Sequence, residues 1–130
     1  MKMRENPLQK KFEDEVEKFK SLQKDIQREH ALRQKLDAQL NENKSVSDEL
    51  GLVGSDAKVY KLVGPVLIRQ DLEEAKNNVS KRMEYISNEI KRHEATLKSL
   101  EGKQETAREA IAKIQHQVQQ AQVKAAMTAK

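Results

Sequence analysis

Residues 57–70 read AKVYKLVGPVLIRQ. Two short runs of Val, Ile, Leu and Tyr flank a Gly64–Pro65 break, the pattern of a β-hairpin closed by a tight turn. Side chains alternate across a strand, so Val59 and Val63 point one way and Tyr60 and Leu62 the other. Val66, Leu67 and Ile68 alternate likewise, and both faces are therefore apolar. A lone two-stranded hairpin is marginal in water, and its outer edges need partners. The expectation is that hairpins from several chains close into one sheet or barrel. Val59, Tyr60, Leu62, Val63, Val66, Leu67 and Ile68 would form that interface. The opposing reading is a connecting loop that is apolar without consequence.

Long helical patterns lie on either side. Before the hairpin, Asn6, Pro7 and Gln9 place an N-cap acceptor, a first-turn proline and a glutamine at the third helical position. Steps of four and three from Leu8 to Leu50 meet apolar residues at eight of thirteen positions, which predicts a helix over 7–50. Gly51 and Gly54 offer the left-handed stop at which helices often end. After the hairpin, Asp71 and Glu74 resemble a capping box. The same steps from Leu72 to Ala125 find thirteen of sixteen positions apolar without a slip of phase, a coiled-coil seam over 72–125. Residues 126–130 read as a flexible tail.

At 1.5 Å per residue the helices would span roughly 60 and 80 Å, whereas a compact chain of this size has a gyration radius of about 14 Å. They must pair lengthwise, and the hairpin between them lets the second return antiparallel to the first. The fold class is mainly α: a long antiparallel two-helix coiled coil joined by a single β-hairpin. Aligning Leu50 with Leu72 sets Leu8 beside Ile114 and Phe12 near Ile111. Glu29, Arg33 and His93 interrupt the seam, and a polar layer there would fix helix alignment.

Composition narrows the functional classes. Aromatic residues are 3% of the chain and charged residues 35%, too few large side chains for a compact core. Four Gly and two Pro argue equally against disorder. With no Cys there is no disulfide, thiolate metal site or Cys nucleophile. No apolar run reaches the ~18 residues of a membrane span. Met1 to Lys10 lacks the apolar stretch of a signal peptide, and a cytoplasmic location is expected. His30, His93 and His116 lie far apart, GLVGSDAK lacks the spacing of a phosphate-binding loop, and a two-stranded coil offers little concavity. Neither catalysis, a metal nor a cofactor is expected.

GPVLIRQ at 64–70, preceded by VYKLV and followed by DLEEAKNNVSKRMEYISNEIKRHE, resembles the β-class subunits of prefoldin. VEKFKSLQKDIQ and RQKLDAQLNEN in the first helical region have the matching character. The resemblance implies an ATP-independent chaperone subunit in a hexamer of two α-class and four β-class chains, so three further β-class partners. Their hairpins would form a β-barrel from which six coiled coils hang. The cavity between them would hold unfolded actin and tubulin and pass them to the cytosolic group II chaperonin. A single hairpin fits the β class, since the α class has two.

A holdase needs apolar surface that a folded protein would hide. Leu8, Phe12, Val118, Val123 and Met127 are the candidate client-binding residues, at the open ends of the helices. Flexible Met1 and Met3 would add to them. Ile111 and Ile114 read rather as seam. Lys10, Lys11, Lys113 and Lys124, with Lys2, Arg4 and Lys130, form a basic cluster that would dock an acidic chaperonin surface. Two other readings compete, a nucleic-acid-binding helical arm and an architectural spacer. Against the first, the cations are interspersed with Glu and Asp and stacking aromatics are scarce.

Overall fold

The computed structural model describes residues 7–128, in the order α1 (Pro7–Leu52), β1 (Val59–Val63), β2 (Val66–Gln70) and α2 (Leu72–Thr128). By packing, the chain forms two units, Ala31–Glu94 and the remainder, Met1–His30 with Ala95–Lys130.

Helix α1 begins on Pro7, whose missing N–H costs nothing in a first turn; the Asn6 cap lies outside the described residues. Helix α2 starts after Asp71. The Ala75 amide donates to the Asp71 carbonyl at 2.8 Å, and the Glu74 amide reaches its Oδ2 at a longer 3.4 Å. Glu73 and Glu74 place negative charge at the positive end of the helix dipole.

Both helices run further than the sequence pattern indicates. Gly51 is helical and α1 continues through Leu52. Neither Gly51 nor Gly54 takes up a left-handed conformation, since Gly64 alone has positive φ among the described residues. The stop comes instead from a turn in which the Ala57 amide donates to the Gly54 carbonyl at 3.0 Å. At the other end Ala126, Met127 and Thr128, expected in a flexible tail, are helical. The Thr128 hydroxyl donates to the Lys124 and Ala125 carbonyls. Ala and Lys are good helix formers, and no Gly or Pro interrupts them.

In the unit Ala31–Glu94 the two helix segments run antiparallel. Val46 and Leu50 share a recess with Ala75, Asn78 and Val79, and Arg33 Nη2 meets Glu94 Oε1 at 2.7 Å. Ala75, Val79, Ile86 and Ile90 are buried there. In the other unit Leu22, Ile26, Leu97, Ala107 and Ile114 are buried, and Gln9 and Phe12 line a cleft with Ala112, Gln115 and Val118. Every stepped position from Leu8 to Leu50 and from Leu72 to Val118 is at least half-buried, while Ala121 and Ala125 are exposed.

The alignment differs from the Leu50–Leu72 pairing. Leu50 neighbours Ala75 and Asn78, and Phe12 faces Ala112, Gln115 and Val118, so partners on α2 lie about one turn further on. A seam with a 3.5-residue period tolerates such a step, because each seam residue lands on the next seam position. Helix α1 also continues past Gly51 to Leu52 before the hairpin begins. The polar seam position Arg33 crosses to Glu94, a partner outside the seam pattern.

The strands pair antiparallel in the register Val59↔Gln70, Tyr60↔Arg69, Lys61↔Ile68, Leu62↔Leu67 and Val63↔Val66. Gly64 at φ 58° followed by Pro65 satisfies a type II′ turn, which needs positive φ at its first central residue.

Two glycines then respond oppositely to alanine. A Cβ at Gly102, inside α2, meets nothing within 4 Å; Gly102→Ala should stabilise the chain by roughly 0.5–1 kcal/mol. Gly64→Ala should destabilise by roughly 1–2 kcal/mol through its left-handed backbone. Urea unfolding followed by circular dichroism for the first, and by hydrogen exchange at the strand amides for the second, measures both signs.

Candidate functional site

Two surfaces of the chain have chemistry to spare. The first is the hairpin. One face carries Val59, Lys61, Val63, Val66, Ile68 and Gln70, the other Tyr60, Leu62, Leu67 and Arg69. Neither face is covered. Leu62 is 69% exposed and Leu67 64% on one side; Val66 is 55% exposed and Ile68 51% on the other. Val63 and Tyr60 are exposed and Val59 is half-buried, where the hairpin base meets Ala75 and Val79. Leu52, the last residue of α1, and Val53 after it are exposed as well.

The edges are open as well. A two-residue loop makes Val63 and Val66 a hydrogen-bonded pair, so the ladder alternates outward from them. The N–H and C=O groups of Tyr60, Leu62, Leu67 and Arg69 consequently point away from the hairpin, where a further strand would receive them. Apolar faces and open edges together leave the strand-pairing capacity of this hairpin unused by the chain itself.

The second surface lies in the unit holding both chain ends. Leu8, Phe12 and Val118 are half-buried where the two helix segments meet. Gln9 and Phe12 form one wall of the cleft there, Ala112, Gln115, His116, Val118, Gln119 and Gln122 the other. Beyond Val118 every described residue of α2 is exposed. Val123 and Met127, 59% and 73% exposed, share one groove with His116, Gln119 and Gln120. The structure thus separates the candidate client residues into two kinds: Leu8, Phe12 and Val118 at the closing end of the seam, Val123 and Met127 on bare helix. Lys10, Lys11, Lys113 and Lys124 are exposed in the same unit. Met1, Met3, Lys2, Arg4 and Lys130 lie outside the described residues.

Two features escaped the sequence pattern. Tyr85, 66% exposed on α2, lies off the seam steps, and nothing in its neighbours marked it as accessible. The Arg33–Glu94 pair needed the true helix alignment, which a periodic seam does not encode. Arg33 Nε is buried with no hydrogen-bond partner. Among the described residues no group of three His, Asp or Glu is placed to hold a metal ion, and no helix is long and apolar enough to cross a membrane.

Residues 13–122 match the family described as "Prefoldin subunit". The chain belongs to the prefoldin subunit family. It is 49% identical over 115 residues to prefoldin subunit 6 of Mus musculus, covering 88% of this chain and 91% of that one. It is 50% identical over 112 residues to prefoldin subunit 6 of Arabidopsis thaliana, covering 86% and 87%. A probable prefoldin subunit 6 of Drosophila melanogaster is 50% identical over 120 residues, covering 92% and 94%. Among solved structures, the prefoldin beta subunit from Thermococcus strain KS-1 superposes with a TM-score of 0.71 at 24% identity, covering 88% of this chain and 96% of that chain. That likeness gives the β-type fold, two long helices and one hairpin. The family also makes the chain a non-enzymatic chaperone component, as the sequence indicated.

A prefoldin hairpin that needs strand partners should fail when charge is buried in it. Val66→Asp combined with Ile68→Asp should leave the helical circular dichroism signal nearly unchanged and abolish co-elution with sister subunits, because unpaired buried carboxylates are costly. Loss of helicity with co-elution retained would contradict this.

Proposed function

We propose that this chain is one subunit of a heterohexameric prefoldin, an ATP-independent holdase that binds unfolded polypeptides and delivers them to the cytosolic group II chaperonin. The observation that carries the reading is the hairpin exposed on both faces and both edges, a surface that makes sense when sister hairpins close around it. The hexamer would contain two α-class and three further β-class subunits besides this one, joined by an intersubunit β-barrel. Val59, Tyr60, Leu62, Val63, Val66, Leu67 and Ile68 would be its contribution.

Client binding falls to Val123 and Met127 on the bare end of α2, with Leu8, Phe12 and Val118 opening from the seam. An apolar helix face with a flexible Met suits partners of irregular shape. Weak contacts from several arms would sum to a useful avidity and release without nucleotide. Actin and tubulin chains are the expected clients, in the cytoplasm. Lys10, Lys11, Lys113 and Lys124 would dock an acidic chaperonin surface, an attraction that salt weakens. Neither nucleic acid nor membrane enters this account.

The reconstituted complex, supplied with a denatured client and no ATP, should suppress the rise in light scattering that marks aggregation. Unchanged scattering would remove the chaperone reading. Truncation after Ala121 deletes Val123 and Met127 while leaving the hairpin intact, so the complex should still assemble but suppress aggregation less well. Full suppression by the truncated complex would take those two residues out of the client site.

A further inference from the structure

The hairpin is apolar on both faces, yet its charge has one sign. Lys58, Lys61 and Arg69 lie within 57–70, and that stretch contains no Asp or Glu. All three cations are exposed, and none forms an ion pair among the described residues. Lys61 stands on β1 opposite Ile68, and Arg69 on β2 opposite Tyr60. Because 61 and 69 fall on opposite faces, each strand and each face carries one cation. The nearest carboxylates, Asp56 and Asp71, lie outside both strands, and Asp71 is engaged at the start of α2.

This arrangement discriminates where apolar packing does not. The same Val, Leu and Ile side chains bury equally well against a second copy of this chain or against a sister hairpin. Charge is different. If a second copy came edge to edge, the only charged strand residues it could bring beside Lys61 and Arg69 would be cations, whichever strands met. Like charges across neighbouring strands destabilise the pair, and closing a sheet removes the water that screens them. Repulsion of a wrong partner is as effective a source of specificity as attraction of the right one.

We propose that the occupant of this hairpin is a sister hairpin of acidic character, with Asp or Glu at strand positions beside Lys61 and Arg69, and that the cations exclude a second copy of this chain. The inference rests on the reading of the hairpin as an assembly surface and adds to it the partner's chemistry.

The test uses the full chain and two of its own variants, so no natural partner need be identified. The reversed variant is Lys58→Glu/Lys61→Glu/Arg69→Glu; the neutral variant is Lys58→Gln/Lys61→Gln/Arg69→Gln. Circular dichroism first establishes that all three chains have equal helicity. Fluorescently labelled wild type is then sedimented against unlabelled wild type, reversed or neutral chain at about 0.05 M and about 0.5 M salt. At low salt wild type should bind the reversed chain at least about tenfold more tightly than it binds itself, and the ratio should shrink towards one at high salt. The neutral variant should self-associate more strongly than wild type. If the neutral variant self-associates but wild type binds itself and the reversed chain equally at low salt, the charge rule is wrong and the assembly surface stands. If no combination associates at either salt, the charge rule falls, and the assembly surface is judged by the co-elution of the wild type with sister subunits.

Discussion

Water around a two-faced apolar hairpin is the constraint from which the rest of this molecule follows. Fully burying a Val, Leu or Ile side chain contributes about 1.5–3 kcal/mol, and this hairpin leaves a cluster of them largely exposed. The chain's own helices cannot recover that free energy, because they bury their apolar stripes against each other. The hairpin base, at Val59, Tyr60, Lys61 and Gln70, shares a recess with Ala75 and Val79, and Leu62 to Ile68 beyond it are exposed. The outward N–H and C=O groups of Tyr60, Leu62, Leu67 and Arg69 add a directional demand to a non-directional one. A strand from another chain meets both.

The helices answer a different need. Each unit buries a narrow seam, Ala75, Val79, Ile86 and Ile90 in one, Leu22, Ile26, Leu97, Ala107 and Ile114 in the other. Two helices suffice to hold each other along such a seam. What they provide is a surface, and it changes character along α2. As far as Val118 the seam residues are covered; from Gln119 onward the described helix is bare, with Val123 and Met127 accessible. One sequence thus leaves two apolar regions exposed, one on paired strands and one on bare helix.

Much of this was legible in the residues. The four-and-three spacing from Leu8 and from Leu72 marked the seam, because burial in a two-helix coil obeys that period and little else. The hairpin showed itself through Val-Tyr-Lys-Leu-Val, Gly-Pro and Val-Leu-Ile, where the turn chemistry is local. The helix alignment was not legible: a periodic stripe is indifferent to a one-turn step, so it could not foretell that Arg33 meets Glu94. The end of α1 was misread for a related reason, since Gly51 permits a left-handed stop without requiring one. The helix in fact runs to Leu52, and a turn in which the Ala57 amide donates to the Gly54 carbonyl follows it. Spacing also could not separate the covered end residues from the bare ones, because Leu8, Phe12 and Val118 stand at seam positions and are half-buried whereas Val123 and Met127 are exposed.

The most direct test of the central claim is hydrogen–deuterium exchange at the backbone amides of Tyr60, Leu62, Leu67 and Arg69, compared between the isolated chain and the assembled complex. These amides point outward from the ladder, so the chain's own hairpin does not protect them. They should exchange at nearly unprotected rates in the isolated chain and slow by orders of magnitude on assembly. Equal, rapid exchange in both states would mean that no strand ever closes on the hairpin, and the account built on it would be wrong.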